Sequence, residues 1–92
     1  MATIFLPTPL RRYANGAAKV QADGQTLGDV LDSLEHSYPG LKERLFDENG
    51  ELKRFIQVFV NDEDVRGLQG TATPVGARDE ISIVPAMAGG QA

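Results

Sequence analysis

The most informative segment of the sequence is Ile81-Ser82-Ile83-Val84-Pro85-Ala86-Met87-Ala88-Gly89-Gly90-Gln91-Ala92. Ile81 and Ile83 alternate with Ser82, and this period of two predicts a strand. Pro85 has no backbone donor, so it closes the ladder at its own nitrogen. The small residues that follow bury too little surface to be held down, so we expect a mobile tail over residues 86–92. Its glycine pair is a thread without side chains, thin enough for a narrow tunnel.

The composition limits the chain to one globular domain. Its 92 residues are 41% hydrophobic and 24% charged, which is ordinary for a folded protein. The net charge of -4, with no basic stripe, argues against nucleic acid as a partner and favours a basic protein surface. Cysteine is absent, which excludes a disulfide framework, a thiolate metal site and a cysteine nucleophile.

Neither a leader nor a membrane span is visible in the sequence. Residues 1–7 contain no basic segment followed by a long apolar run. No apolar segment approaches the roughly 20 residues that a membrane-spanning helix needs. We therefore expect a cytoplasmic protein that does not act on membranes.

The first two predicted strands form a wide hairpin. Residues 3–6 are β-prone and stop at Pro7, and residues 17–22 alternate apolar and polar side chains. Residues 7–16 between them hold two prolines and an Asn-Gly pair, so we expect a loop there.

A helix beginning after Thr26 is the clearest prediction. Thr26 is a natural N-cap, with Asp29 placed to answer it as in a capping box. The residues at helical spacing form one apolar stripe: Leu27, Val30, Leu31, Leu34 and Tyr38. Asp29, Asp32 and Glu35 lie off the stripe and should face water. Pro39-Gly40 should end the helix, and a second short helix is expected over residues 41–46, followed by a turn at 47–50.

Residues 54–60 form the strongest predicted strand. Ile56, Val58 and Val60 make the better inward face because no polar residue interrupts them. Phe55 and Phe59 then flank Gln57 on the outward face. An alternative is that the two aromatic side chains fill a second small core beneath residues 41–46. A turn at 61–62, a brief edge strand at 63–66 and an irregular stretch at 67–80 lead to the last strand.

This order of elements predicts an α+β roll, with a mixed sheet of four to five strands and one main helix across one face. We expect a folded domain over residues 1–85 and a flexible segment over residues 86–92.

Catalytic and metal-binding constellations are missing from the sequence. A lone His36 near a helix end is more often a surface residue than a catalyst. Asp62, Glu63 and Asp64 lack an EF-hand spacing and are more often solvated turn residues than metal ligands. No base accompanies the serines and no glycine-rich phosphate loop precedes the helix. We predict no metal, no cofactor and no enzymatic activity.

Five segments are informative together and in this order: Leu6-Pro7-Thr8-Pro9-Leu10-Arg11, Thr26-Leu27-Gly28-Asp29-Val30-Leu31, Tyr38-Pro39-Gly40-Leu41, Val58-Phe59-Val60-Asn61-Asp62-Glu63-Asp64-Val65-Arg66 and Val84-Pro85-Ala86-Met87-Ala88-Gly89-Gly90. They resemble the ThiS/MoaD family of ubiquitin-like sulfur carriers, most of all its bacterial cysteine-biosynthesis branch. The resemblance implies a β-grasp fold whose last strand lies in the middle of the sheet, beside the first. One departure is Arg78-Asp79, where the family usually has a Gly-Asp turn.

The resemblance also implies a function centred on Gly90. In this family the terminal glycine is adenylated and then becomes a thiocarboxylate. A ThiF/MoeB-like enzyme would use the ATP, and a sulfur-accepting biosynthetic enzyme, with a cysteine synthase as one type, would receive the sulfur. Ala88 and Gly89 would form the rest of the thread.

The residues around that site receive implied roles as well. Phe55, Gln57, Phe59 and Met87 would dock the partner. Because Gln91 follows Gly90, a metallopeptidase would first cut between them. Two other functions stay open: a ubiquitin-like modifier joined to lysines, and a β-grasp domain that only binds its partners.

Overall fold

The computed structural model describes residues 1–85. Its elements are β1 (Ala2–Phe5), β2 (Lys19–Ala22), α1 (Leu27–Ser37), α2 (Leu41–Leu45), β3 (Ile56–Val60), β4 (Glu63–Asp64) and β5 (Glu80–Pro85). Short 3₁₀ helices occupy Thr8–Ala14, Val65–Gly67 and Gly70–Ala72. The predicted tail, residues 86–92, lies outside the described residues, so the division of the chain at residue 85 stays a prediction.

A five-stranded mixed sheet forms the framework of this part of the chain. Its strand order is β2-β1-β5-β3-β4. β1 and β5 run parallel, with Ile4 opposite Ile81, and the other neighbouring strands are antiparallel. The last strand is therefore central and lies beside the first. The predicted mixed sheet and the topology implied by the resemblance are both confirmed.

Helix α1 covers one face of the sheet through the predicted apolar stripe. Leu27, Val30, Leu31 and Leu34 are each at most 1% exposed. The Thr26 hydroxyl oxygen accepts a hydrogen bond from the Asp29 backbone N–H at 3.2 Å, which confirms the cap. Burying four such side chains stabilises the fold by about 1.5–3 kcal/mol each.

The segment between β1 and β2 differs from the predicted loop. A 3₁₀ helix spans Thr8–Ala14, and its Leu10 and Ala14 are buried. Proline is tolerated at the start of a helix because its fixed φ suits that position. The helix ends where Asn15 adopts the left-handed conformation, and the Gly16 N–H then bonds the Arg11 carbonyl at 2.8 Å. The prolines therefore begin an ordered turn here.

Glu35 also departs from its prediction, because it does not simply face water. Its carboxylate accepts backbone N–H bonds from Gly40 at 3.1 Å and Lys42 at 2.9 Å. Those two donors would otherwise be unpaired at the start of α2. They favour the charged form and lower the Glu35 pKa from its usual value. Glu35 thus joins the end of α1 to α2.

Two strand boundaries and one irregular stretch in the second half of the chain are also corrected. β3 begins at Ile56, two residues later than predicted. The edge strand stops at Asp64, because the next residue, Val65, begins a 3₁₀ helix and its side chain is completely buried. Within the stretch predicted to be irregular, Gly70–Ala72 form another 3₁₀ turn. Across residues 1–85, no helix is both long and apolar enough to cross a membrane.

Candidate functional site

The face of the sheet opposite α1 carries the first candidate surface. On β3, Ile56, Val58 and Val60 are buried, whereas Gln57 and Phe59 are partly exposed. The predicted orientation of this strand is confirmed. The sequence period of two decides it, since only one of the two faces of the strand lies against the core.

Phe55 lies just before β3 and has 56% of its surface exposed. The Lys53 ammonium nitrogen is 5.9 Å from the centroid of its ring. Phe46 and Leu52 are among the partly buried side chains that pack against the core, and Phe55 and Phe59 are not. The alternative of a second small core filled by Phe55 and Phe59 is therefore wrong.

Two exposed apolar residues on neighbouring strands were missed by the sequence analysis. Phe5 is 36% exposed and Val84 is 40% exposed. Val84 is opposite Gln57, and Phe5 is opposite Ser82. Alternation alone could have found both, because Ile4 and Ile83 are inward and the next residue of each strand must point outward.

Together these side chains form a surface that we name the outer patch: Phe5, Phe55, Gln57, Phe59 and Val84. The longest row of residues paired across the strands runs through Lys19, Phe5, Ser82, Phe59 and Asp64. It begins on β2 and ends on β4. The patch therefore has an apolar centre with a positive rim on one side and a negative rim on the other. Apolar centres with polar rims are typical of protein-binding surfaces.

A groove opens where β5 reaches Pro85, the last described residue. We name it the tail-root groove; its volume is about 390 Å³ and its lining includes Pro7, Tyr13, Arg44, Lys53, Phe55 and Pro85. Pro85 is opposite Ile56 in the sheet, so the base of the predicted tail is fixed by pairing. Phe55 lies where the groove meets the outer patch.

The turn that departs from the family pattern is closed by side chains. Asp79 accepts hydrogen bonds from the Gly76 backbone N–H at 2.8 Å and the Asn61 side-chain amide at 3.0 Å. These bonds lower the Asp79 pKa, the Gly76 bond most. The side-chain oxygen of Asn61, Oδ1, in turn accepts a hydrogen bond from the Glu80 backbone N–H at 3.0 Å. Arg78 is exposed and takes no part in these bonds, so the turn does not need glycine at its position.

The remaining candidate residues form no reactive cluster in the part of the chain that the structure describes. Among residues 1–85, no three His, Asp or Glu side chains converge on a point that could hold a metal ion. His36 is exposed at the end of α1. The tail residues Met87, Ala88, Gly89, Gly90 and Gln91 lie outside the described residues, and their predicted roles remain predictions.

Comparison with known proteins identifies the family. The ThiS family profile matches residues 4–90. The chain belongs to the ThiS family. It is 47% identical over 90 residues to the sulfur carrier protein CysO of Mycobacterium tuberculosis, covering 96% of this chain and 97% of that protein. The CysO chain in the BexX/CysO complex of Amycolatopsis orientalis superposes with a TM-score of 0.92 at 42% identity, covering 98% of this chain and all of that one.

A relative whose name describes a modifier protein is also similar. Small archaeal modifier protein 3 of Haloferax volcanii is 46% identical over 68 residues, covering 74% of this chain and 73% of that protein. The fold of this ThiS-family chain is thus the ubiquitin-like β-grasp, as the resemblance implied. Its membership supports a sulfur-carrier role, and the sulfur carriers of this family are small substrate-carrying proteins rather than enzymes.

Proposed function

We propose that this ThiS-family chain carries sulfur as a thiocarboxylate on Gly90. The observation that supports it most is the extent of the family match, which runs from residue 4 and stops at Gly90. The similarity thus covers the fold and also the Gly89-Gly90 pair. If the chain shared only its fold with the family, the matched region could end with β5.

The chemistry needs a free Gly90 carboxylate and an enzyme that supplies ATP. One carboxylate oxygen attacks the α-phosphorus of ATP, pyrophosphate leaves, and an acyl adenylate forms. Hydrosulfide then attacks the Gly90 carbonyl carbon and displaces AMP, which leaves the thiocarboxylate. The chain itself holds no cofactor in this scheme, because a ThiF/MoeB-like partner binds the nucleotide.

The role of the fold in this scheme is to hold the base of the tail. β5 has a hydrogen-bonded neighbour on both sides, β1 and β3, so its position is fixed along most of its length. A fixed base reduces the entropy that is lost when the thread enters an active site. Ala88 and Gly89 then offer the partner a narrow segment of chain.

Gln91 must be removed before activation. While it is attached, the Gly90 carbonyl belongs to an amide and has no ionised oxygen that could attack phosphorus. The branched, hydrogen-bonding Gln91 side chain would also obstruct a tunnel that admits glycine. A metallopeptidase that cuts between Gly90 and Gln91, of the zinc-dependent kind, would produce the competent form.

The outer patch is the proposed docking surface for the adenylating enzyme. Phe55, Gln57 and Phe59 form one side of it, and Met87 would extend it along the tail. Phe5 and Val84 belong to the same apolar surface. Aromatic side chains near the centre of an interface commonly contribute most of its binding energy.

The acceptor of the sulfur is proposed to be a biosynthetic enzyme, of the cysteine synthase type. The relative in M. tuberculosis is a sulfur carrier named CysO, which favours the cysteine synthase type. The BexX/CysO complex of A. orientalis supports, more broadly, a partner that takes sulfur from such a carrier. We propose the cytoplasm as the site of the reaction, because the partner would need ATP.

A second candidate function is conjugation of Gly90 to lysine side chains of other proteins. The similarity to small archaeal modifier protein 3 favours it. Both functions share the acyl adenylate and differ in the nucleophile, which is sulfur in one case and an amine in the other.

The test compares the chain through Ala92 with a version that ends at Gly90. Each is incubated with the adenylating enzyme of the same host, ATP and a sulfide source, and the intact mass is measured. We expect replacement of oxygen by sulfur only in the shorter chain. Equal conversion of the longer chain, with Gln91 still attached, would refute the processing step. Failure of both chains to react would refute adenylation at Gly90.

A further inference from the structure

The tail-root groove combines apolar walls with cationic groups. Among residues 1–85, Pro7, Tyr13 and Phe55 supply apolar surface to it, Arg44 and Lys53 supply the charges, and no Asp or Glu lines it. This is unexpected in a chain whose net charge is -4. A neighbouring hollow, which shares Lys53 and Phe55 with the groove, is lined by one acidic residue, Asp47. Its carboxylate already accepts the N–H groups of Asn49 and Glu51, within its own turn.

Aromatic rings hold the cations of the groove in place. The Arg44 guanidinium carbon lies 5.0 Å from the centroid of the Tyr13 ring, and that of Arg12 lies 5.6 Å from the same centroid. Such contacts orient a guanidinium without neutralising it. The ion pairs found within residues 1–85 involve Asp23 and Asp32, and none involves Arg12, Arg44 or Lys53. Two like charges beside one ring repel each other and would be stabilised by an anion.

Acidic residues lie at the end of the sheet opposite to the groove. The groove lies at the end of the sheet where β5 finishes and β3 begins. The opposite end of the same two strands carries Glu80 and the turn before β4, with Asp62 and Glu63. A charge separation of this kind orients a protein as it approaches a charged partner. The positive end is the one from which the tail leaves.

We propose that the tail-root groove receives an acidic segment of the enzyme that takes up the tail, with a carboxylate side chain next to an apolar one. The carboxylate would lie between Arg44 and Lys53, and the apolar side chain would cover Tyr13 and Phe55. This inference rests on the proposed function, because it needs an enzyme that binds the tail. A bare anion would leave the apolar walls of the groove in water, so a protein segment fits them better.

At the tail-root groove, the partner should carry the charge opposite to the one that net charge alone suggests. A chain of charge -4 favours a basic partner, yet the surface beside the tail has the opposite sign. The partner should therefore be acidic where it meets Arg44 and Lys53. Any basic region that it has would face the end of the sheet near Asp62 and Glu80.

The test measures the binding of charge-reversed chains to the adenylating enzyme of the same host. Arg44→Glu and Lys53→Glu are compared with Arg78→Glu, which makes the same change in net charge at the opposite end of the sheet. The chain length used is the one that reacts in the experiment on processing. We expect each groove variant to raise the Kd by roughly tenfold at low salt and the control to change it less than twofold. Added salt should weaken the unsubstituted chain more than the groove variants.

Several outcomes would overturn the proposal. Equal effects of Arg44→Glu, Lys53→Glu and Arg78→Glu would show that only net charge matters. Tighter binding by the groove variants would show that the groove holds the chain's own tail. Thermal melting checks the fold; if Arg44→Glu melts early because it loses its contact with Tyr13, Lys53→Glu decides the question. If the groove variants bind no worse than the Arg78→Glu control while the chain is still adenylated, this inference alone is refuted and the proposed function stands.

Discussion

Phe5 and Phe59 lie in the same cross-strand row of the sheet, one on each side of Ser82. Neighbouring strands are about 4.8 Å apart, so the backbones of the two aromatic residues are roughly 10 Å apart. The small serine between them leaves their rings free to contact one partner together. This pairing turns two aromatic residues, distant in sequence, into parts of a single binding surface.

Substitution of Phe59 should separate docking from folding. Phe59→Ser removes a partly exposed ring, so we expect the free energy of unfolding to change by no more than about 1 kcal/mol. Binding to the adenylating enzyme should weaken about tenfold, because an aromatic anchor is lost. Denaturant unfolding and calorimetric titration measure the two effects.

Val58→Ser is the matched control, one position away on the opposite face of β3. Val58 is completely buried, so this change should lower stability by about 2–3 kcal/mol. A loss of stability as large for Phe59→Ser would mean that Phe59 belongs to the core. Unchanged binding of Phe59→Ser would remove the outer patch from the proposed interface.

Truncation of Leu31 should test the attachment of α1 to the sheet. Leu31 is 1% exposed in the middle of the apolar stripe, and Leu31→Ala should cost about 2–5 kcal/mol through lost transfer energy and a cavity. His36→Ala on the exposed side of the same helix should change stability by less than about 0.5 kcal/mol. Urea unfolding of both variants gives the comparison. A harmless Leu31→Ala would contradict the packing of α1.

The pH dependence of stability should report the junction made by Glu35. Its pKa is lowered chiefly by the Lys42 and Gly40 backbone N–H groups, so the folded state prefers the charged carboxylate. The stabilisation is present above the usual pKa of 4.5 and is lost as the pH falls through the lower folded-state pKa. Glu35→Gln should therefore be less stable than the unsubstituted chain near neutral pH.

That difference in stability should shrink as the solution is acidified. Urea unfolding at a series of pH values down to about 3 measures it for both chains. Asp79, whose pKa is also lowered, is present in both and cancels in the comparison. A difference that stays constant through the acidic range would show that the Glu35 carboxylate does not titrate against these N–H groups.

The sequence predicted the features that depend on local period and capping. The stripe of α1, its Thr26 cap and the inward face of β3 follow from neighbouring residues alone. The central position of β5 did not follow from them, because strand order depends on contacts between distant segments; the family resemblance supplied it. The second role of Glu35 was missed for a similar reason. Its partners Gly40 and Lys42 reach it only after the chain has turned.

The candidate surfaces were also predictable only in part. The orientation of Phe59 was predicted, and Phe5 could have been, since strand alternation gives both. The tail-root groove could not have been predicted from the sequence. It forms where Tyr13 of a 3₁₀ helix, Arg44 of α2 and Phe55 before β3 meet at the end of β5, and no pattern in the sequence relates these three residues.

The intact mass of the protein purified from its own host will show whether Gly90 becomes a thiocarboxylate. We expect a chain cut after Gly90 in which sulfur replaces one carboxylate oxygen, and an alkylating reagent that captures thiocarboxylates should shift that mass. A set of larger masses, each a host protein joined through Gly90, would support the modifier function instead. A chain that retains Gln91 and Ala92 as its only form, with no sulfur added, would refute a thiocarboxylate on Gly90.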